Sequence, residues 1–204
     1  LLEAPLIVRE TRDPLFDGQE HVVLLHDFPF RDPAEILAEL QGGGGAHAGH
    51  SMNHGATDHS QMGHGNMDGM EGMSGMEGMG QMMAGMMNDV AFDAYLANDR
   101  TLDDPEVVRV EKGGSLRLRI INGASASNMW IDLGPLQAEL IAVDGNAIEP
   151  LPGSVFPLAI AQRADLRIRV PKEGGAFPVL FRPEGVAAQT GIVLATEGAS
   201  VPRL

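Results

Sequence analysis

Histidine and methionine side chains, which bind soft metal ions, are concentrated in one stretch of the chain, residues 42–88. This stretch contains five of the seven histidines and eleven of the twelve methionines, and it has no lysine or arginine. Thioether sulfur prefers Cu(I), and imidazole suits copper in either common oxidation state. A flexible chain with this composition could wrap three or four such ligands around one ion. The candidate metal ligands are His47, His50, His54, His59, His64, Met67, Met70, Met73, Met76, Met79, Met82, Met83, Met86 and Met87.

The methionines follow a regular period in the second half of the stretch. From Met67 to Met82 they recur at every third residue, with glycines between them. A helix requires a spacing nearer 3.6, and each interior glycine would cost it about 1 kcal/mol, so a helix is not expected. Branched and aromatic side chains are almost absent, so the stretch has no core of its own. We therefore expect a long disordered Met/His/Gly-rich insert, which binds metal or serves as an empty linker.

The composition excludes several classes of site and partner. The sequence has no cysteine, which rules out disulfides, thiolate nucleophiles, cysteine-based zinc sites and a complete blue-copper site. A formal net charge of −14 makes nucleic acid and anionic membrane surfaces poor partners. No apolar run is long enough to span a bilayer. Cations are the partners that this charge favours.

Outside the insert, short apolar runs alternate with turn residues. Within 115–121, leucine and isoleucine alternate with arginine, which predicts a strand with one buried face and one exposed face. The order Asp32-Pro33-Ala34-Glu35 is typical of a helix start, so one short helix is predicted before the insert. Further strands are predicted at 5–9, 20–25, 90–96, 107–110, 129–133, 138–143, 156–160, 164–170, 177–181 and 191–196. This arrangement is typical of an all-β antiparallel sandwich or barrel.

Four motifs occur together in the order and at the spacing of a known family. They are Tyr95-Leu96-Ala97-Asn98, Leu116-Arg117-Leu118-Arg119-Ile120-Ile121-Asn122-Gly123-Ala124, Ala142-Val143-Asp144-Gly145 and Ala161-Gln162-Arg163-Ala164-Asp165. As a set they resemble the middle cupredoxin-like domain of multicopper oxidases of the laccase or copper-resistance type. The opening Ala4-Pro5-Leu6-Ile7-Val8 is similar to the segment that closes the first domain of that family.

The resemblance implies a Greek-key β-sandwich in a periplasmic or secreted oxidase that couples oxidation of Cu(I) or phenolic-type donors to O2 reduction. The family takes its copper ligands from H-x-H and H-C-H motifs in its first and last domains, and neither motif occurs in this chain. The chain would then be a central structural domain between flanking cupredoxin domains, without catalytic or cofactor-binding residues and inactive alone. In that setting copper, as Cu(I) or Cu(II), is the favoured ligand of the insert.

The expected division of the chain follows from these interpretations. Residues 1–8 are the end of a preceding domain or a linker, 9–41 and 89–197 form the sandwich, 42–88 are the insert, and 198–204 lead to a following domain. Two other functions stay open. One is a non-enzymatic periplasmic copper- or silver-binding protein, and the other is a β-sandwich that binds a protein or glycan and no metal.

The two remaining histidines are interpreted as surface or turn residues. His21 and His26 are five residues apart on a predicted strand, so they point to opposite faces and cannot share a metal without a bulge. Asp144-Gly145 and Asp103-Asp104 are interpreted as turns, because no second feature marks a cleft beside them.

Two interpretations concern packing and ion pairing. Trp130, with Phe156, Phe177 and Phe181, is expected in the core or in inter-domain packing. Arg163 and Asp165 lie two apart on a predicted strand and hence on one face. We expect them to form a structural ion pair.

Overall fold

The computed structural model describes residues 4–7, 18–41 and 90–204 of the chain. Within these ranges eleven strands and one helix follow each other along the sequence. They are β1 (Gln19–Phe28), α1 (Pro33–Gln41), β2 (Ala94–Ala97), β3 (Glu106–Arg109), β4 (Ser115–Asn122), β5 (Met129–Asp132), β6 (Ala138–Val143), β7 (Asn146–Gly153), β8 (Val155–Leu158), β9 (Arg163–Arg169), β10 (Ala176–Pro183) and β11 (Thr190–Ala195).

The strands form two mixed sheets around one core. The first sheet has the order β2-β1-β4-β9-β6-β7, and the second has the order β3-β11-β10-β5-β8. Most neighbours are antiparallel, but β1 pairs with β4, and β3 with β11, in parallel. Strands of both sheets contribute to a single hydrophobic cluster. The predicted all-β sandwich is confirmed, whereas the expectation of purely antiparallel pairing is wrong at these two pairs.

The core is built by alternation along the strands. In β4, Leu116, Leu118 and Ile120 are buried, and the two arginines between them lie on the opposite face. The predicted alternation of this strand is confirmed. By contrast, every residue of β11 is buried, which is the pattern of a strand covered on both faces.

Helix α1 begins where the sequence predicts. The Asp32 carboxylate accepts the Ala34 N–H at 2.8 Å, and the Asp32 carbonyl accepts the N–H groups of Glu35 and Ile36. These bonds satisfy donors that a helix start otherwise leaves open. None of the nine helical residues is buried, so α1 lies on the surface of the sandwich. Among the described residues, no helix is long and apolar enough to cross a membrane.

Three strand predictions differ from the structure. Pro5, Leu6 and Ile7 are not in a strand, and residues 8–9 of that prediction lie outside the described ranges. The strand predicted at 90–96 starts later, as β2 at Ala94. Strand β7 was not predicted, because it contains two prolines and its residues are exposed up to the last one, so apolar alternation is lacking. As an edge strand β7 needs no buried face.

Candidate functional site

The predicted metal ligands lie in residues 42–88, outside the described ranges, but the structure defines where that stretch is attached. Helix α1 ends at Gln41, and the described chain resumes at Val90. Strands β1 and β2, which flank this connection, pair antiparallel with each other, and β2 is the edge strand of its sheet. A connection between neighbouring strands at a sheet edge can be long without crossing the core.

An open apolar groove of about 670 Å³ lies at this attachment. We call it the α1 groove. It is lined by Pro29, Pro33, Ile36, Leu37, Leu40, Val90, Phe92, Ser125, Ala126 and Ile160. Phe92 also packs against the hydrophobic core, and its ring contacts Tyr95 edge-on with centroids 6.3 Å apart. The groove therefore connects the surface helix, the residues that follow the insert and the sandwich core.

Asp27 fixes one wall of the α1 groove. Asp27 is 9% exposed, and its carboxylate accepts hydrogen bonds from the Ser125 N–H (2.7 Å), the Ser125 hydroxyl (2.8 Å), the Ala126 N–H (3.0 Å) and the Ser127 hydroxyl (2.9 Å). Burial raises the pKa of the neighbouring Tyr95 phenol above its ordinary 10.0, while a hydrogen bond with Ser127 opposes the rise. A buried carboxylate with four donors is satisfied, so the loop that carries them is held firmly.

Sequence reasoning missed Asp27, although the loop carried a signal. Ser125 and Ser127 come shortly after the pair Asn122-Gly123, and the run of small or polar residues at 124–128 is typical of a loop that bonds to a buried acceptor. The acceptor itself comes from β1, about one hundred residues earlier in the chain. That separation cannot be read from local sequence.

The two described histidines do not converge. His21 Nε2 lies 3.2 Å from Glu106 Oε2, an atom that also accepts the Asn98 amide N–H at 2.7 Å. His26 lies on the opposite face of the same strand, as its odd spacing from His21 requires. Both side chains are half-buried within β1, so of the two alternatives, surface or turn, the turn is wrong. His21 instead links β1 of one sheet to β3 of the other.

A balanced charge cluster occupies the outer face of the six-stranded sheet. The Asp165 carboxylate lies 3.1 Å from Arg117 Nε and 3.2 Å from an Arg119 guanidinium nitrogen, and Glu20 lies 3.1 Å from Arg119. These side chains are only 12–18% exposed. Burial raises the pKa of Asp165 above 3.8, while the charges of Arg119 and Arg117 pull it back. Two cations and two anions neutralise one another, so we interpret the cluster as structural.

The predicted ion pair between Arg163 and Asp165 is wrong. The strand register places Arg119 directly opposite Asp165, whereas Arg163 is displaced two residues along the strand, about 7 Å away. Arg163 instead contacts Asp144, with 3.8 Å between the charged groups and a 2.8 Å bond from its backbone N–H. Cross-strand neighbours therefore decided the pairing.

The turn and aromatic predictions have mixed outcomes. Asp144 and Gly145 have positive φ angles of 50° and 81° between β6 and β7, which confirms a turn. Asp103 and Asp104 also lie in a turn. Phe156 and Phe181 are in the core, and Phe177 packs against it, but Trp130 is 42% exposed. A core position for the indole is therefore wrong, and its inter-domain role stays a prediction.

No group of three or more His, Cys, Asp or Glu side chains that could hold a metal occurs within the described part of the chain. The described residues thus position the insert and build a sandwich, and they offer no redox-metal ligand set. This agrees with the lack of cysteine throughout the sequence.

Comparison with known proteins adds independent information. The multicopper oxidase family model matches residues 21–197. The multicopper oxidase MmcO of Mycobacterium tuberculosis (strain ATCC 25618 / H37Rv) is 24% identical over 204 residues, covering 98% of this chain and 36% of its own length.

Two solved structures share the fold. Fet3p, described as a multicopper oxidase that functions in iron import, aligns with a TM-score of 0.65 at 11% identity, covering 97% of this chain and 32% of its own. The laccase from Botrytis aclada aligns with a TM-score of 0.60 at 14% identity, covering 91% and 30%. This chain thus spans about a third of the length of these proteins.

Proposed function

Because the chain belongs to the multicopper oxidase family, we propose that it is the central structural domain of such an enzyme and that its insert, residues 42–88, binds copper. Copper is the cofactor of this family. The described residues do not fit a copper centre of the oxidase, since they contain no group of three or more His, Cys, Asp or Glu side chains that could hold a metal, and the sequence has no cysteine. We therefore assign no step of the oxidation to the sandwich.

The composition of the insert is the observation that carries the copper proposal. Eleven methionines and five histidines, without a lysine or arginine, interrupt a domain of a copper-dependent family. The thioethers from Met67 to Met87 would hold Cu(I), and the histidines from His47 to His64 would hold Cu(II) or share an ion with sulfur. Each site should be modest in affinity, because ordering the backbone costs about 1–2 kcal/mol per residue fixed.

The position of the insert supports the proposal that the insert binds copper and that the sandwich is structural. Residues 42–89 connect α1 to the segment before β2, and the two strands that flank this connection, β1 and β2, pair with each other at the edge of the six-stranded sheet. Metal capture by the insert would therefore leave the fold of the domain unchanged.

The whole protein is proposed to oxidise Cu(I) or a phenolic-type donor and to reduce O2, in the periplasm or outside the cell. Flanking cupredoxin domains of the same protein would supply the H-x-H and H-C-H copper ligands. A full reading frame without these motifs on either side would contradict the oxidase and favour a non-enzymatic copper or silver binder.

Anaerobic Cu(I) titration against a competing chelator tests the insert directly. The 204-residue chain should bind several Cu(I) ions, and replacing residues 42–88 by a short Gly/Ser linker should remove them. A variant with methionines 67–87 changed to leucine should lose Cu(I) and keep Cu(II) binding, while the matched histidine-to-asparagine variant should do the reverse. An unchanged Cu(I) stoichiometry after deletion of the insert would show that it is only a linker.

A further inference from the structure

We propose that the side of the sandwich formed by the edge strands β7 and β8 docks against a flanking cupredoxin-like domain of the same protein. We call this surface the β7–β8 side and define it by its exposed apolar side chains, Trp130, Ile148, Leu151, Val155 and Pro157. The proposal rests on the proposed function, because that function supplies the flanking domains. The new element is the face of this domain that meets one of them.

Strand β7 extends past the second sheet and leaves an apolar face open. Leu151 pairs directly with Leu140 of β6, and Leu140 packs against the hydrophobic core. Residues directly opposite each other on paired strands point to the same face of a sheet, so Leu151 points to the core side. The opposite sheet normally covers a side chain on that face, yet Leu151 is 56% exposed. The five-stranded sheet therefore ends before β7 and leaves this apolar end of the core open.

The outer face of the five-stranded sheet continues this apolar surface at its β8 edge. Trp130 pairs with Pro157 across β5 and β8, and it points away from the core because its neighbour Ile131 is fully buried. Val155 also points outward, since Phe156 beside it is buried. Trp130 is 42% exposed and Val155 50%. Aromatic side chains are enriched in protein–protein interfaces, so an exposed indole among apolar neighbours marks this surface as a contact site.

A tight corner between β7 and β8 fixes the two parts of this surface relative to each other. Gly153 ends β7, and a Cβ atom at this position would lie 3.0 Å from the ring of Phe156, which belongs to the core. The carbonyl of the next residue, Ser154, accepts the Leu133 N–H at 2.9 Å. A preformed surface loses little conformational freedom when a partner binds, which favours docking.

Charge on the β7–β8 side is low. Strand β7 carries one charged residue, Glu149. Beside Trp130, the Arg182 guanidinium lies 2.6 Å from the Asp132 carboxylate, so these two charges neutralise each other. The outer face of the six-stranded sheet differs, because it carries the charge cluster around Asp165. Exposed apolar side chains with few charges are typical of the centre of a protein–protein interface.

Edge chemistry and net charge favour a domain of the same protein over a second copy of this chain. Pro150 and Pro152 lack the N–H groups that strand pairing requires, so the partner packs through side chains and does not extend the sheet. Two copies of a chain with a net charge of −14 repel each other. A tethered domain, by contrast, meets the surface at an effective concentration in the millimolar range. This chain covers 36% of the multicopper oxidase MmcO, so most of that protein lies outside the matched part.

Hydroxyl-radical footprinting with peptide mass spectrometry, on the whole protein and on the 204-residue chain, tests the proposal. Trp130, Leu151 and Val155 should be labelled several-fold more slowly in the whole protein, because docking excludes water from their side chains. In the whole protein, Leu151→Asp should raise the labelling of Trp130 and Val155 to the level of the 204-residue chain. Leu37→Asp, the same exchange at a similarly exposed leucine of α1 (54%), is the matched control and should leave both residues protected.

Each of four outcomes would overturn the proposal. Equal labelling of the two unaltered proteins, with oxidase activity in the whole protein, would exclude docking and leave the proposed function standing. Protection of Trp130 that survives Leu151→Asp would place the contact elsewhere. Protection in the 204-residue chain that grows with its concentration would make a second copy the occupant. A reading frame without flanking cupredoxin domains would overturn the proposed function as well. Circular dichroism of both variants in the 204-residue chain checks their folding, and the comparison of the unaltered proteins needs no variant.

Discussion

Individual buried carboxylates set the local geometry of this domain, and Asp27 is the clearest case. Its carboxylate accepts four hydrogen bonds from residues 125–127 of the loop that follows β4. Asp27→Asn keeps the size of the side chain but turns one oxygen into a donor that faces other donors. We expect a loss of about 2–4 kcal/mol in the free energy of unfolding.

Urea denaturation of the Asp27→Asn variant measures this loss. Asp104→Asn is the matched control, because Asp104 is exposed in a turn and its pairing with Arg100 should contribute less than about 1 kcal/mol. A loss for Asp27→Asn no larger than that of the control would show that the loop is held by other contacts.

Asp165 should make stability depend on pH in the direction opposite to an ordinary salt-bridged carboxylate. The pKa of Asp165 in the folded state is raised above its ordinary 3.8. Between pH 3.8 and the folded-state pKa, the folded chain therefore binds more protons than the unfolded chain. The contribution of Asp165 to stability is therefore greatest below about pH 4 and is lost as the pH rises through the folded-state pKa. Asp165→Asn removes this dependence.

Urea denaturation at several pH values compares the two proteins. The free energy of unfolding of the unaltered protein, relative to that of Asp165→Asn, should be highest near pH 4 and should fall toward pH 7. The opposite slope would mean that Arg117 and Arg119 outweigh burial. Sequence alone could not have predicted this environment, since the arginines meet Asp165 only through the pairing of β4 with β9.

At the scale of elements, helices and strands with a local capping or burial pattern could be predicted from the sequence. The start of α1 and the alternation of β4 follow from local capping and burial rules, and both are confirmed. Strand β7 was missed because its conformation comes from pairing with β6 and from the positive-φ turn at Asp144 and Gly145. A strand exposed along its length leaves no hydrophobic period to read.

The prolines of β7 should protect the sheet edge against pairing with a strand of another chain. Pro150 and Pro152 lack an N–H group and so interrupt the edge that another chain could pair with. The variant Pro150→Thr/Pro152→Thr should associate more readily, seen as higher light scattering at equal concentration. Ala147→Thr adds the same side chain to the same strand without adding an N–H, and it should scatter light like the unaltered protein. Equal scattering from both variants would show that the prolines have no protective role.

At the scale of the molecule, we expect the sandwich to fold without residues 42–88. Replacing 42–88 by a six-residue Gly/Ser linker shortens the connection about eightfold, which lowers the loop-closure cost by about 2 kcal/mol. We expect the shortened chain to fold and to unfold thermally at or above the temperature of the full chain. Loss of the cooperative transition would mean that the insert belongs to the core.

The family of the molecule could be predicted from the sequence, whereas the α1 groove could not. The ordered motifs from Tyr95 to Asp165 point to the family, and the match over 21–197 confirms it. The groove beside the insert could not be predicted, because it joins residues of α1, of the 90–92 segment and of two distant loops. Such a surface exists only after the chain has folded.

The attachment of the insert between two paired strands at a sheet edge has an evolutionary consequence. A duplication that adds one Met-x-Gly unit lengthens the connection by three residues and adds one sulfur, and it leaves the residues that pair β1 with β2 unchanged. Doubling the length of such a connection costs only about 0.6 kcal/mol. Selection can therefore adjust the number of methionines proposed to bind metal by simple copying errors in the gene, with almost no cost in the rest of the fold.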